Sequence, residues 1–354
     1  MKMICCNCRK EHNLSKLRTC LGCNRKFCKE CGTDDPLSLE KLSMSCWCWG
    51  CYINREQMNQ APKRSELRIN RELAEMPQLI SGNPFQKYEK VEYIAKGGTS
   101  RVYKIKDKIQ GDFFALKEII ADQSRDLAIR REFLFSSTQT SDNIVKALEI
   151  YKEFNCYYVI YELMDLRLSD LLQKQTKDLH KDIICHIAKE VLKGIEYCHY
   201  INVMHRDLKT ENIYLSKNGD VKIGDFGEMQ ELTEEYDQRN TVVGSLQSIP
   251  PEMWQRKDYD FQCDIWSFGV ILFEIIERRT PFPNRTVLDT MQNVINGELP
   301  ILSHKRDEGL KRLYLACMER NPGMRPTAKR LLNMRCMFEA KNERKSLMKK
   351  ISKK

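Results

Sequence analysis

Ten of the sixteen cysteines fall before Tyr52, and eight of these form four C-x2-C pairs: Cys5/Cys8, Cys20/Cys23, Cys28/Cys31 and Cys48/Cys51. Each such turn bends two thiolates toward one ion, and a tetrahedral zinc needs two of them, so the pattern implies two structural Zn2+ ions. A head of about 50 residues cannot bury enough apolar surface to fold alone, which makes metal the main source of its stability. Cys6 and Cys46 stand outside the pairs, and either can replace a neighbour. The N-terminus, MKMICCNC, carries no secretory apolar stretch, so a reducing cytoplasmic setting is expected, where clustered cysteines mean metal before disulfides.

Composition divides the 354 residues into a Cys-rich head (1–53), a polar connector (54–87), a long mixed region (88–338) and a basic tail (339–354). With 42% hydrophobic residues the chain can build a core, which excludes global disorder. Part of the net charge of +10 sits in the closing KNERKSLMKKISKK, a pattern of solubility or loose attraction to acidic partners and not a signature of specific nucleic-acid binding. The most apolar run, Trp266 to Phe273, is bracketed by Asp264 and Glu274 and reads as a buried core helix, too short to span a membrane. In the connector, Pro77, Gly82 and Pro84 interrupt any long helix.

Within the long region, Tyr88–Ile94, Ser100–Ile105 and Phe113–Ile119 read as strands joined by glycine turns. A helical segment, Ser124–Ser137, and two further strands, Val145–Ile150 and Tyr157–Tyr161, follow. The second half is helical: Ile184, Ile187, Ala188, Val191, Ile195 and Cys198 keep to one face at 3.6-residue spacing. The expected fold is α+β, a small sheet lobe followed by a larger helical lobe with a cleft between them.

The chemistry is concentrated in His205-Arg206-Asp207-Leu208-Lys209-Thr210-Glu211-Asn212, followed by Asp225-Phe226-Gly227. These resemble the catalytic loop and D-F-G of the eukaryotic protein-kinase superfamily, whose bilobal fold covers about residues 88–338. The resemblance implies ATP and Mg2+ as cofactors and proteins as substrates. By it, Asp207 accepts the substrate proton, Lys209 steadies the transferring phosphate, and Asn212 and Asp225 bind Mg2+. Ala115-Leu116-Lys117 matches the phosphate-holding lysine, and Glu132, fifteen residues on, matches its ion partner.

Ile94 to Val102 aligns with the nucleotide loop, with Ala95 and Ser100 in place of the outer glycines and Gly97 in the middle. The resemblance makes Ile94, Ala95, Gly97, Gly98, Val102 and Ala115 the nucleotide-contacting residues. The added β-carbons stiffen a loop whose backbone N–H groups must approach phosphate. The Glu162 carbonyl and Met164 N–H would pair with adenine, and the bulky Tyr161 would guard the back of the pocket.

Gly244 to Glu252 aligns with the family's G-T to A-P-E segment, and Arg325 is the expected partner of Glu252. Lys209 and Ser245 resemble the serine/threonine class, while TENIYLSKNGDVKIGDFG is most similar to the Ste-type and NIMA-related kinases. Thr241 stands where such kinases carry an activating phosphothreonine, with Arg206 as its cation. Ser136 and Ala147 occupy positions where the family stacks larger apolar side chains on Phe226, so a thin stack is expected.

The cysteine spacing resembles the cross-brace FYVE finger, in which the first and third pairs share one zinc and the second and fourth the other. Lys16-Leu17-Arg18-Thr19-Cys20-Leu21 lacks that family's histidine pair, and its leading W-x-x-D is absent. This argues against phosphatidylinositol 3-phosphate as the ligand and in favour of protein docking or a purely structural role, with membrane association through the finger as the alternative.

Overall fold

The computed structural model describes residues 78–96, 100–121, 125–175, 177–231, 242–283, 286–303, 307–339 and 343–352, and before them the backbone of six short strands. The chain divides into two compact units, Met1–Arg68 and Ile69–Lys354. In the first, three antiparallel pairs are described: β1 (Lys2–Ile4) with β2 (Glu11–Asn13), β3 (Leu17–Thr19) with β4 (Lys26–Cys28), and β5 (Gly32–Asp34) with β6 (Cys46–Cys48). Cys28 and Cys48 close β4 and β6. Their side chains, and Cys5, Cys8, Cys20, Cys23, Cys31 and Cys51, lie outside the described residues, as do both zinc assignments.

The second unit opens with β7 (Ile80–Ser81), which joins β8 (Tyr88–Lys96), β9 (Ser100–Asp107), β10 (Phe113–Ile120), β11 (Ala147–Glu153) and β12 (Cys156–Glu162) in one sheet of order β7-β11-β12-β10-β9-β8. All neighbours are antiparallel except β7 with β11. Four of the strands contain the expected runs, lengthened by up to two residues. β11 instead starts at Ala147, two residues after the expected Val145, whose N–H donates to the Ile223 carbonyl, and runs on to Glu153. Period two sorts the side chains: Ile105, Leu116, Tyr158 and Ile160 pack on one face, and Ile119, Tyr157 and Val159 on the other, against Ile129 and Phe133 of α1 (Asp126–Thr138).

The connector does not end as a linker at residue 87. Leu79 packs with the cluster beside α1, Gly82 donates its N–H to the Lys152 carbonyl at 2.9 Å, and Asn83 caps the short 3-10 turn Pro84–Gln86. Ten residues read as spacer are thus part of the small lobe.

The large lobe begins with β13 (Leu166–Arg167) and α2 (Leu168–Lys174), followed by α3 (Lys181–Tyr200), in which all six residues chosen by periodicity are buried. β14 (Val203–Met204), β15 (Ile213–Leu215), β16 (Val221–Ile223) and β17 (Gln230–Glu231) then form two small sheets, β13-β15-β16 and β14-β17. After α4 (Pro251–Trp254) comes α5 (Gln262–Glu277), buried on every side from Cys263 to Phe273, as its apolar run required. It stops at Arg278, whose left-handed φ of 56° turns the chain and whose guanidinium donates to the carbonyls of Leu172 and Lys177. Helices α6 (Val287–Asn296), α7 (Glu308–Cys317), α8 (Ala328–Leu332) and α9 (Arg335–Phe338) complete the lobe around one core.

Charge alone described the tail as solvated, and here the structure adds an element. α10 (Arg344–Ile351) lies on this lobe: Leu347 is 0% exposed within the main core, and the Arg344 guanidinium donates to the Asn218 carbonyl at 2.6 Å and pairs with Asp220. Leu347→Ala should therefore destabilise the chain by about 2–5 kcal/mol, the usual cost of emptying a core leucine site. A urea midpoint equal to wild type would show that the helix is a detachable appendage.

Candidate active site

The loop from His205 to Asn212 follows β14 and is fixed from beneath by α5. Asp264, 1% exposed, accepts the backbone N–H groups of His205 and Arg206 at 2.9 Å each and lies 2.9 Å from His199 Nε2. Burial pushes this carboxyl up, but the His199 contact and the loop N–H groups outweigh it and hold it below the ordinary range. Tied in this way, Arg206 keeps a left-handed φ of 68°, which few non-glycine residues adopt.

Asp207 comes next, and every contact of its carboxylate is to a neighbour in the motif or to Ser245. Oδ1 accepts the Ser245 N–H at 2.9 Å and the Ser245 hydroxyl at 3.0 Å. Oδ2 accepts from Lys209 Nζ at 2.7 Å and from the Asn212 amide at 3.3 Å. Lys209 also donates to Ser245 Oγ at 2.9 Å, so one hydroxyl sits between a carboxylate that accepts its proton and an ammonium. The approach of Ser245 depends on Gly244: at φ +97° a β-carbon there would lie 2.6 Å from the Arg206 carbonyl oxygen.

Asn212 donates its amide to the Asp207 carbonyl at 2.9 Å, which leaves its own side-chain oxygen for a cation. Asp225, 43% exposed at the side chain, is the second oxygen donor, and hard oxygens of this kind suit Mg2+. Burial raises Asp225, and the Lys117 ammonium reverses this, leaving the carboxyl below its usual range and ionised.

Across the cleft, Lys117 on β10 bridges Glu132 of α1 at 3.0 Å and Asp225 at 2.8 Å. Burial would pull its ammonium down; the two carboxylates more than compensate and raise it well above its ordinary value. Register sets the rest of this wall: Ala95, Val102, Lys117 and Val159 face one another across four strands, with Ala115, Tyr161 and Ala147 in the adjacent row. Ile94 precedes Ala95 on β8, and Glu162 and Met164 lie at and just beyond the end of β12. Gly97 and Gly98 lie outside the described residues. The Glu162 side chain is engaged by Lys222 at 2.8 Å.

Two features were not legible beforehand. Phe226 is stacked between His205 and Phe135, with ring centroids 4.5 Å away on each side, so the thin stack expected from Ser136 and Ala147 is filled by the residue before Ser136. The Tyr161 hydroxyl donates to Glu132 Oε1 at 3.3 Å. Period two on β12, which puts Tyr161 on the face of Lys117, was the signal for it. Of the remaining assignments, Glu252 and Arg325 form a buried bidentate pair at 2.8 and 3.1 Å. Thr241 lies outside the described residues, and Arg206 donates to the Glu228 carbonyl at 2.6 Å and to the Tyr259 hydroxyl at 3.1 Å.

The profile of the protein kinase domain matches residues 88–337. This chain belongs to the protein kinase family. Similar proteins include mouse serine/threonine-protein kinase PAK 1, 31% identical over 293 residues (81% of this chain, 53% of the relative). Drosophila melanogaster serine/threonine-protein kinase polo is 27% identical over 259 residues (72% and 45%). Candida glabrata serine/threonine-protein kinase STE20 is 30% identical over 292 residues (80% and 32%). The chain thus spans about half the length of these relatives or less.

Beside the kinase loop, Glu274 of α5 accepts from Thr210 Oγ1 at 3.0 Å. Burial and the negative charge of Glu211 push its carboxyl up to about 7, against the Thr210 bond. Between about pH 4.5 and 7 the native state therefore keeps a proton that the unfolded chain has released, and stability falls as pH rises through that window. Glu274→Gln should raise the melting temperature at pH 7.5 and leave it unchanged near pH 4. Scanning calorimetry across this range checks it, and parallel wild-type and variant curves would refute the assignment.

Proposed function

We propose that this chain transfers the γ-phosphate of ATP to serine and threonine hydroxyls of protein substrates. The observation that carries this is the Ser245 hydroxyl lying between Asp207 and Lys209: the same two groups can receive an acceptor hydroxyl, one taking its proton and the other meeting the phosphate. Lys117, held by Glu132, has the charge and the position to hold the nucleotide phosphates. Asn212 and Asp225 are the Mg2+ ligands, and the ion, when bound, neutralises charge on the phosphates. The hinge pair Glu162 and Met164, with Ala95, Val102 and Ala115, is assigned to the adenine side, and Ile94, Gly97 and Gly98 are assigned to nucleotide contact by their position in the loop motif. The relatives named PAK 1, polo and STE20 are all serine/threonine-protein kinases, which supports the serine/threonine class.

The test is Asp207→Asn. Phosphate transfer from labelled ATP to a peptide library should fall by about 10²–10⁴-fold, while ATP binding, measured by titration, stays near wild type. A variant with wild-type turnover would overturn the role of Asp207.

For the head we propose a two-zinc cross-brace finger that docks the kinase on a protein. Its support is the spacing of Cys5, Cys8, Cys20, Cys23, Cys28, Cys31, Cys48 and Cys51. Metal analysis of the purified full chain should find two zinc ions per molecule; one or none would refute the double site. Thr241 is the proposed activating phosphosite, resting on its position between Asp225 and Glu252, and the cytoplasm is the proposed compartment. Among the described residues no helix is long and apolar enough to cross a membrane.

A further inference from the structure

The back of the nucleotide pocket contains a half-buried tyrosine whose ring would guard the pocket but whose hydroxyl the kinase reading leaves without a task. Tyr161 stands in register between Ala115 on one side and Ala147 on the other, so its ring occupies a row in which both neighbours are small. Its side chain packs with the cluster containing Ile129 and Phe133 of α1. Its hydroxyl ends 3.3 Å from Glu132 Oε1, the same oxygen that Lys117 holds at 3.0 Å. One turn beyond Glu132, where an apolar side chain would tie α1 to the core, stands Ser136, 2% exposed, and opposite Tyr161 stands Ala147, 1% exposed.

Glu132 is useful only while α1 keeps it within reach of Lys117. An ammonium on a long stem follows a moving carboxylate, so the Lys117–Glu132 pair alone constrains the helix weakly. A phenol at the end of a rigid ring, seated on a strand, offers a fixed point. We propose that Tyr161 is a positioning residue: it braces Glu132, and with it α1, against the sheet, adding a polar anchor beside the Phe135–Phe226 stack in a row where Ser136 and Ala147 are small. Burial and the charge of Glu132 both push the phenol well above its ordinary range, so the hydroxyl remains a donor throughout the working pH of a protein. The bond is long for an O–H donor, and it is one of two contacts on the same oxygen. Its loss should loosen α1 without dismantling it.

This inference rests on the proposed kinase activity for its consequence in turnover but not for the brace itself, so the experiment reads both. Tyr161→Phe keeps the ring and removes only the hydroxyl, and Tyr161→Met provides a second apolar replacement of similar reach. In the full chain, hydrogen exchange of residues 126–138 should quicken in both variants relative to wild type, with the large-lobe helix 181–200 unchanged. In peptide phosphorylation, kcat should fall by roughly three- to tenfold, the range of an ordinary net hydrogen bond, since this one is long and shares its acceptor with Lys117, with KM for ATP changed less. In a Glu132→Ala background the Tyr161→Phe substitution should have no further effect on exchange, because the acceptor is gone. Wild-type exchange at 126–138 in Tyr161→Phe would overturn the brace, as would an equal effect of that substitution with and without Glu132. Faster exchange in a chain without transferase activity would leave the brace standing and overturn the kinase reading instead.

Discussion

The catalytic geometry depends first on one buried carboxylate. Asp264 is a buried charge in the first turn of the most apolar of the described helices, a placement that would be costly without partners. Its partners are the N–H groups of His205 and Arg206 and the ring of His199. Satisfying the charge and shaping the loop are therefore one event. The carboxylate draws two successive N–H groups to one point, which requires the left-handed turn at Arg206, and that turn delivers His205 to Phe226 and Asp207 toward the cleft. Removing the carboxylate would leave two buried N–H groups without acceptors as well as a strained residue without its restraint.

The same helix fixes the opposite wall. Three residues after Asp264, and so on the same face, Ser267 donates to the Ser248 carbonyl at 2.9 Å. Ser248 donates in turn to the Ser245 carbonyl at 2.9 Å, and the N–H of Ser245 reaches Asp207. Arg325, 0% exposed at its side chain, holds Glu252 and also donates to the Gln262 carbonyl at the start of the helix. The loop of Asp207 and the segment of Ser245 are thus aligned to each other through a common rigid base. That arrangement suits chemistry in which the protein contributes position and charge more than covalent help.

Much of this was readable because it is written in local patterns. The helix 181–200 declares itself through six apolar residues at one spacing, and the strands through alternation that also determines which side chains join Lys117. The ion pairs Lys117–Glu132 and Glu252–Arg325 followed from motif positions. What escaped depends on partners far away in sequence. Ile80–Ser81 is too short to look like a strand until β11 lies beside it. The helix 344–351 hides one decisive leucine among lysines. Phe135 and Ser136 differ by one position on a helix, and i+3 and i+4 lie on the same face, so counting residues does not decide which of them meets Phe226.

That ambiguity has a structural meaning for α1. Over two turns the helix presents Glu132 to Lys117 and Tyr161, Phe135 to Phe226, and Ile129 with Phe133 to the cluster that includes Leu79. These contacts differ in kind: an ion pair, a hydrogen bond, a ring stack and apolar packing. They come from three segments, namely the sheet, the loop after β16 and the connector. No single one fixes the helix, since the ion pair follows movement and the packing tolerates small slides. Together they define its depth, rotation and tilt. Helix position is thereby coupled to the state of Asp225 through Phe226, its neighbour, and to the nucleotide wall through Lys117. A substitution at any one contact is therefore felt at the others before it is felt as a loss of fold.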